Sequence, residues 1–164
     1  MSERSDRSYA DVVSAHAPAL LRLAVMLTGD RYDAEDLLQQ TLLRTVRHGA
    51  RIAAMTAPAA YLRKVMLNEH LSRRRRRRAE VPQTGPVPVT PPPDVDARDE
   101  TWRWLASLRP QQRAVLVLRF YEDLPAKAIA ELLGCTETTV RSHAFRGLAA
   151  LRSHLQSLVP EESP

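Results

Sequence analysis

The chain has a single cysteine, Cys135, among 164 residues. One thiol cannot close an internal disulfide, so neither the cross-linked scaffold of an oxidising compartment nor a cysteine-based structural metal site is available to it. No apolar run approaches the roughly 20 residues of a membrane span, and the N-terminal stretch MSERSDRSYA lacks the hydrophobic segment of a signal peptide. A cytoplasmic protein is the expectation. Catalytic groupings are missing as well. His16, His48, His70, His143 and His154 are scattered, and Asn68, Glu69 and His70 are not spaced as ligands on one helix face. Asp33, Glu35 and Asp36 could pass for paired carboxylates, but they open an amphipathic helix with no nucleophile or metal set beside them. No enzyme, cofactor, metal or small-molecule substrate is expected.

What the chain does have is apolar residues and positive charge. At 44% apolar it can build helical cores for one domain or two small ones, and its net charge of +5 with a pI near 10.0 points towards an acidic partner such as nucleic acid. The charge is uneven: residues 1–79 carry +7, residues 80–100 carry −4 and residues 101–164 carry +2.

The stretch LPAKAIAELLGCTETTVRSHAFRGLAALRSHL, residues 124–155, reads as a helix-turn-helix. Pro125 suits the first position of a helix, where a missing N–H costs nothing, and Gly134 suits a left-handed cap. Thr136 is a candidate N-cap for the second helix, with Glu137 against the positive end of its dipole. Ala130, Gly134 and Val140 stand where two helices approach closely. Val140, Ala144, Leu148, Leu151 and Leu155 recur as an apolar stripe. Arg141, Ser142, Phe145 and Arg146 fall on another face, with side chains able to meet phosphates, base edges or a thymine methyl in a major groove. A plain helical hairpin with solvated arginines is the alternative.

From the start of the chain, residues 9–16 form a short amphipathic helix, and Ala17-Pro18 restarts the pattern through Leu27 to a stop at Gly29. Asp33 and Asp36 resemble a capping box opening the next helix, which carries Leu37, Leu38, Thr41, Leu42 and Val46 and stops at Gly49. Its start leaves Asp33, Glu35, Asp36, Gln39 and Gln40 open to solvent or to a basic protein surface. A loop over residues 48–57 precedes Pro58, which heads a helix through Tyr61, Leu62, Val65, Met66 and Leu71. That helix ends in six successive arginines, Arg73, Arg74, Arg75, Arg76, Arg77 and Arg78. Six consecutive helical residues sample every direction, so some of them meet any one partner while the rest are solvated or lie along phosphates. Arg63, Lys64 and Asn68 precede them, and Asn suits bidentate bonding to adenine.

Residues 80–96 are rich in proline and poor in core residues, a linker whose extended geometry at about 3.1 Å per residue could span roughly 50 Å. Beyond it, Trp102, Leu105 and Leu108 mark a helix ending before Pro110. Residues 112–121 form a second helix, and both pack under the helix-turn-helix as a four-helix domain. Trp102 and Trp104 are two apart and cannot both face inward.

The blocks DAEDLLQQTLLRTVR (33–47) and AYLRKVMLNEHLSRRRRRR (60–78), followed by LRPQQRAVLVLRFYEDLPAKAIAELLGCTETTVRSHAFRGLAALR (108–152), resemble a bacterial extracytoplasmic-function sigma factor, in particular the short actinobacterial sigma-E-like group. The resemblance spans both domains in order. It implies an all-α protein of two small helical domains: residues 1–79 as sigma region two, 80–99 as a Pro-rich acidic linker, 100–158 as region four and 159–164 as a tail. It implies core RNA polymerase and promoter DNA as partners, allows an anti-sigma factor, and involves no membrane. By position, Asp33, Glu35, Asp36, Leu37, Gln39 and Gln40 inherit docking on the clamp helices of the largest polymerase subunit, although Gln40 stands where relatives commonly have Glu. Tyr61, Arg63, Lys64, Asn68 and the six arginines fall on minus-ten DNA, and the loop of residues 49–57 captures an unstacked base. Thr138, Thr139, Arg141, Ser142, Phe145 and Arg146 fall on the minus-thirty-five element. A stand-alone helix-turn-helix regulator with a LuxR-type output domain and a sensory first domain is the competing reading, and a basic RNA-binding protein a third. The acidic helix start coupled to an Arg-rich helix favours polymerase docking over a sensor.

Overall fold

The computed structural model describes residues 7–80, 104–105 and 107–158. The chain divides into two compact units, Met1–Gly85 and Pro86–Pro164. The boundary falls in the proline-rich stretch, whose extended geometry lies outside the described residues, as do Trp102 and residues 159–164.

Unit 1 opens with α1, Tyr9–Thr28. Its N-terminus is closed by a reciprocal pair. Ser8 Oγ accepts from the Asp11 N–H at 3.1 Å, and Asp11 Oδ2 accepts from the Ser8 N–H at 2.8 Å. The Ser8 hydroxyl also donates to Asp11 Oδ2 at 2.7 Å, and that bond, then the one from the Ser8 N–H, holds the Asp11 carboxyl below its ordinary pKa. The expected break after His16 does not occur, and Pro18 lies inside one continuous helix. An internal proline typically costs about 3 kcal/mol, but Pro18 is exposed while Val12, Leu20, Leu23, Ala24, Val25 and Leu27 are buried on either side of it. Packing of that flank on the neighbouring helices outweighs the lost backbone bond. Continuity also makes α1 a 20-residue helix with an 18-residue window of mean hydropathy 1.4, long and apolar enough to cross a membrane by length and composition, contrary to the expectation from runs of residues. Its apolar side is occupied by the core of unit 1.

Gly29 ends α1 at φ 74°, a left-handed cap that glycine adopts without a Cβ penalty. The next helix, α2, is Arg31–Thr45, and its cap is Asp30 rather than Asp33 with Asp36: Asp30 Oδ1 accepts from the Asp33 N–H at 2.9 Å. Asp33 is thereby placed in the first turn, where its charge suits the helix dipole. Buried Thr41 and Thr45 satisfy their hydroxyls on the carbonyls four residues back, both at 2.8 Å, and Thr45 also meets the Tyr9 hydroxyl at 2.7 Å. A 3₁₀ turn, Val46–His48, leads into α3, Gly49–Ala53. Gly49 is not a stop, because its φ of −54° is helical. Its requirement is space: a Cβ there would lie 2.9 Å from Tyr9 Cβ and Cγ. Helix α4, Pro58–Glu80, completes the unit. It packs on α1 and α2 around Leu23, Leu37, Ile52, Leu62 and Met66, all fully buried.

In unit 2, Pro110 takes the first position of α5, Pro110–Leu116, two residues earlier than expected, and the helix widens into a π turn over Val117–Tyr121. Then come α6, Ala126–Leu133, capped by Pro125 from just outside, and α7, Glu137–Leu158. Gly134 closes α6 at φ 64°, and the N–H groups of Gly134 and Cys135 both reach the Ala130 carbonyl. Thr136 Oγ1 accepts from the Thr139 N–H at 3.1 Å and so caps α7. Val140 is buried as expected, but Leu148 and Leu155 are exposed. The inward line of α7 passes through buried Gly147 instead, where a Cβ would lie 2.5 Å from Leu116 Cδ1. The absent side chain lets α7 approach α5, which tilts the stripe off the two leucines.

Candidate nucleic-acid and protein interfaces

The first turns of α2 put acid at one end of unit 1. Glu35 pairs with Arg31 one turn earlier at 2.7 Å. Asp36 Oδ2 pairs with Arg73 Nη1 of α4 at 2.9 Å, and Arg73 Nη2 also donates to the Asp36 carbonyl at 3.4 Å. Asp33 receives a two-pronged contact from Arg77, Nη1 to Oδ2 and Nη2 to Oδ1, each at 3.3 Å. That hydrogen bonding, then the carboxylate charge, pushes the Arg77 guanidinium pKa up. Gln39 is exposed and Gln40 half-buried. Leu37 is fully buried among the core side chains, so it supports the surface from beneath and cannot form part of it. The sequence reading missed the apolar component beside these acids. An open groove of about 530 Å³ is lined by Leu21, Tyr32, Glu35, Asp36, Leu38 and Leu42 together with Gln39. Tyr32 stands 82% exposed at it. The α2 period places Leu38 and Leu42 on one line, but only the position of α1 decides that the line stays open.

On α4 the arginine tract is not uniform. Glu69 is buried, and Arg44 Nε lies 2.9 Å from it, Arg73 Nε 3.4 Å and Arg76 Nη2 3.5 Å. At about 100° per residue, Glu69, Arg73 and Arg76 fall in one narrow arc of the helix, towards α2, while Arg63, Lys64, Asn68, Arg75 and Tyr61 spread over roughly 160° of the remaining surface. Arg77 sits at the border, about 40° from Arg63. Arg63, Lys64, Asn68 and Arg75 are exposed, Tyr61 and Arg74 half-buried, and the expectation for Arg78 lies outside the described side chains. Arg73, Arg76 and Arg77 are therefore engaged within unit 1, because α2 and Glu69 supply carboxylates on that side.

Half of the expected loop of residues 49–57 is helical, as α3. The remainder exposes Ala54, Thr56 and Ala57 and is held from the N-terminal side, where the Arg7 guanidinium donates to the Ala53 carbonyl at 2.9 and 3.3 Å and to the Met55 carbonyl at 2.9 Å. The role of Arg7 had no local signal in the sequence.

On α7, Thr138, Arg141, Ser142, Phe145 and Arg146 are all exposed, Phe145 at 73%. They fill a continuous arc of roughly 140° opposite Val140 and Gly147. Arg141 is braced by Glu137 at 3.2 Å with most of its side chain still exposed. Thr139 is half-buried and its hydroxyl is engaged with Thr136 at 2.9 Å, so it belongs to the cap of the helix more than to its outer face.

Residues 12–80 match the family described as sigma-70 region 2, and residues 98–151 that described as sigma-70 region 4. The chain is 37% identical over 158 residues to the RNA polymerase sigma-E factor of Streptomyces avermitilis, covering 91% of this chain and 86% of the relative. It is 36% identical over 152 residues to the ECF RNA polymerase sigma factor SigL of Mycobacterium tuberculosis, covering 87% and 86%. Among solved structures it is similar to the sigma factor RpoE of Bartonella quintana, crystallised with the anti-sigma factor NepR, at a TM-score of 0.61 and 22% identity over 90% of this chain and 96% of that one. The extracytoplasmic-function sigma factor SigJ of Mycobacterium tuberculosis gives a TM-score of 0.59 and 27% identity over 87% of this chain and 52% of that one. A sensory first domain has no counterpart in these matches.

Proposed function

The chain belongs to the extracytoplasmic-function sigma factors of the sigma-70 family, and from that premise we propose which of its surfaces meets which partner. As a sigma factor it binds core RNA polymerase and directs promoter-specific initiation through minus-ten and minus-thirty-five DNA.

Unit 1, with residues 1–79 as region two, docks on the polymerase clamp through the groove between α1 and α2. Tyr32, Leu38 and Leu42 supply apolar contact, and Glu35, Asp36, Gln39 and the edge of Gln40 form its polar rim, with Asp33 at the flank. This assignment is supported by an exposed aromatic next to carboxylates over an open groove, since a few desolvated anchors ringed by polar groups carry most of an interface's energy. The outward arc of α4, with Arg63, Lys64, Asn68, Arg75 and Tyr61, faces minus-ten DNA. The segment after α3, with Ala54, Thr56 and Ala57, takes the unstacked base. In unit 2, Thr138, Arg141, Ser142, Phe145 and Arg146 enter the major groove of the minus-thirty-five element, with Thr139 tied to the Thr136 cap of the helix that carries them. Residues 80–99 serve as the tether between the two.

The experiment is reconstitution with core polymerase and a promoter library. The protein should bind duplex DNA weakly alone and start transcripts only with polymerase. Charge reversal at Glu35 and Asp36 should abolish the association while leaving the helical content intact. Failure to associate with polymerase stripped of its own specificity subunit would end this reading.

A further inference from the structure

The acidic flank of α2 and the arginine tract of α4, assigned above to two different partners, are joined side chain to side chain. We propose that Arg77 is a conditional phosphate contact: Asp33 holds it in the free protein, and docking of the α2 flank on a basic polymerase surface takes over Asp33 and leaves Arg77 to DNA. The proposal rests on the docking assignment made above.

Three observations carry it. First, both Asp33 oxygens are engaged by the Arg77 fork at 3.3 Å, so a cationic group arriving at Asp33 competes for the same lone pairs. Second, the pair is built to exchange. The side chains of Asp33 and Arg77 are 42% and 60% exposed, and exposed pairs of this kind shift an equilibrium by no more than about fivefold. Arg73 differs: its side chain is 19% exposed and held by both Asp36 and buried Glu69, so it stays on α2 while Arg77 can leave. Third, Arg77 borders the outward arc of α4, about 40° from Arg63 around the helix. A rotamer change at its base, with no backbone motion, would turn the long side chain towards the DNA-facing side. Polymerase binding and DNA binding are then linked through one ion pair, and the free protein presents one fewer cation to DNA than the assembled one.

The test compares the salt dependence of duplex binding by the full chain, alone and with core polymerase, for wild type, Asp33→Asn, Arg77→Ala and the double variant. In the free protein Arg77→Ala should change little, whereas Asp33→Asn should steepen the slope of log K against log salt by about 0.9, the contribution of one phosphate. The double variant should lose that gain. In the polymerase complex Arg77→Ala should flatten the slope by a similar amount. A gain from Asp33→Asn that survives removal of Arg77 is a general charge effect and overturns the proposal, as does an Arg77→Ala effect of equal size with and without polymerase. Core association is measured on the same samples. Its absence in the wild type refutes the docking assignment, whereas intact association with no conditional slope refutes only the role of Arg77.

Discussion

Replacing Gly147 by alanine sets two effects of known sign against each other. Glycine in a helix interior is about 0.8–1.0 kcal/mol worse than alanine, so local propensity alone predicts stabilisation. Against that, the new Cβ would stand 2.5 Å from Leu116 Cδ1 and 3.2 Å from Leu116 Cγ. Leu116 is itself buried, which limits its escape, and relieving such overpacking typically costs about 1–3 kcal/mol. The net expectation is a loss of about 1 kcal/mol, which for a unit of this size lowers its melting temperature by roughly 4–8 °C. The measurement is selective, because the only tryptophans, Trp102 and Trp104, both belong to the unit Pro86–Pro164, so their fluorescence follows that unit in the intact chain. Leu116→Ala on its own should cost about 2–5 kcal/mol through the cavity it leaves. With Cδ1 gone, Gly147→Ala in that background should turn neutral or stabilising by up to about 1 kcal/mol. A stabilising Gly147→Ala in the wild type, or the same loss in both backgrounds, would refute close approach of α7 to α5 as the reason for the glycine.

Other predictions concern the two proposed interfaces and the first cap. Leu37→Ala should lower the stability of unit 1 by about 2–5 kcal/mol in denaturant titration, whereas Leu38→Ala should weaken association with core polymerase at little cost in stability; equal stability losses would contradict the burial of Leu37. Arg146→Ala should cost about 1–3 kcal/mol of minus-thirty-five recognition if it makes a base contact, and unchanged promoter use would remove it from the reading face. The Asp11 carboxyl is held below its ordinary pKa of 3.8, so the stability it contributes is present above that value and is lost as pH falls through the lower folded value. Asp11→Asn should flatten this acid limb of the unfolding curve, and an unaltered limb would show that the cap contributes nothing through its charge.

The helix-turn-helix was legible in the chain because its determinants are local. Gly134 tolerates a left-handed φ, Thr136 caps the residue three positions on, and the exposed arc of Arg141, Ser142, Phe145 and Arg146 follows from the helical period alone. The helical elements were legible for the same reason, whereas the order of the two matched regions came from the resemblance of three sequence blocks to a known family. Elsewhere local signals were outvoted. Pro18 looked like a boundary, but the buried flank of α1 holds the helix through it. Gly49 looked like a helix stop and is instead a point of contact with Tyr9, as Gly147, which carried no local signal, is with Leu116. Leu37 and Leu38 are neighbours of one residue type, and only the packing of α1 and α4 makes one of them core and the other groove. The arginines show the division most sharply. Six identical residues in a row carry no information about which is held and which is free to meet a phosphate. Carboxylates from α2 settle Arg73 and Arg77, although Asp33 and Arg77 are 44 residues apart in the chain. Periodicity and caps act over a few residues and can be read directly, whereas burial and ion pairing depend on which distant side chain arrives at the same place.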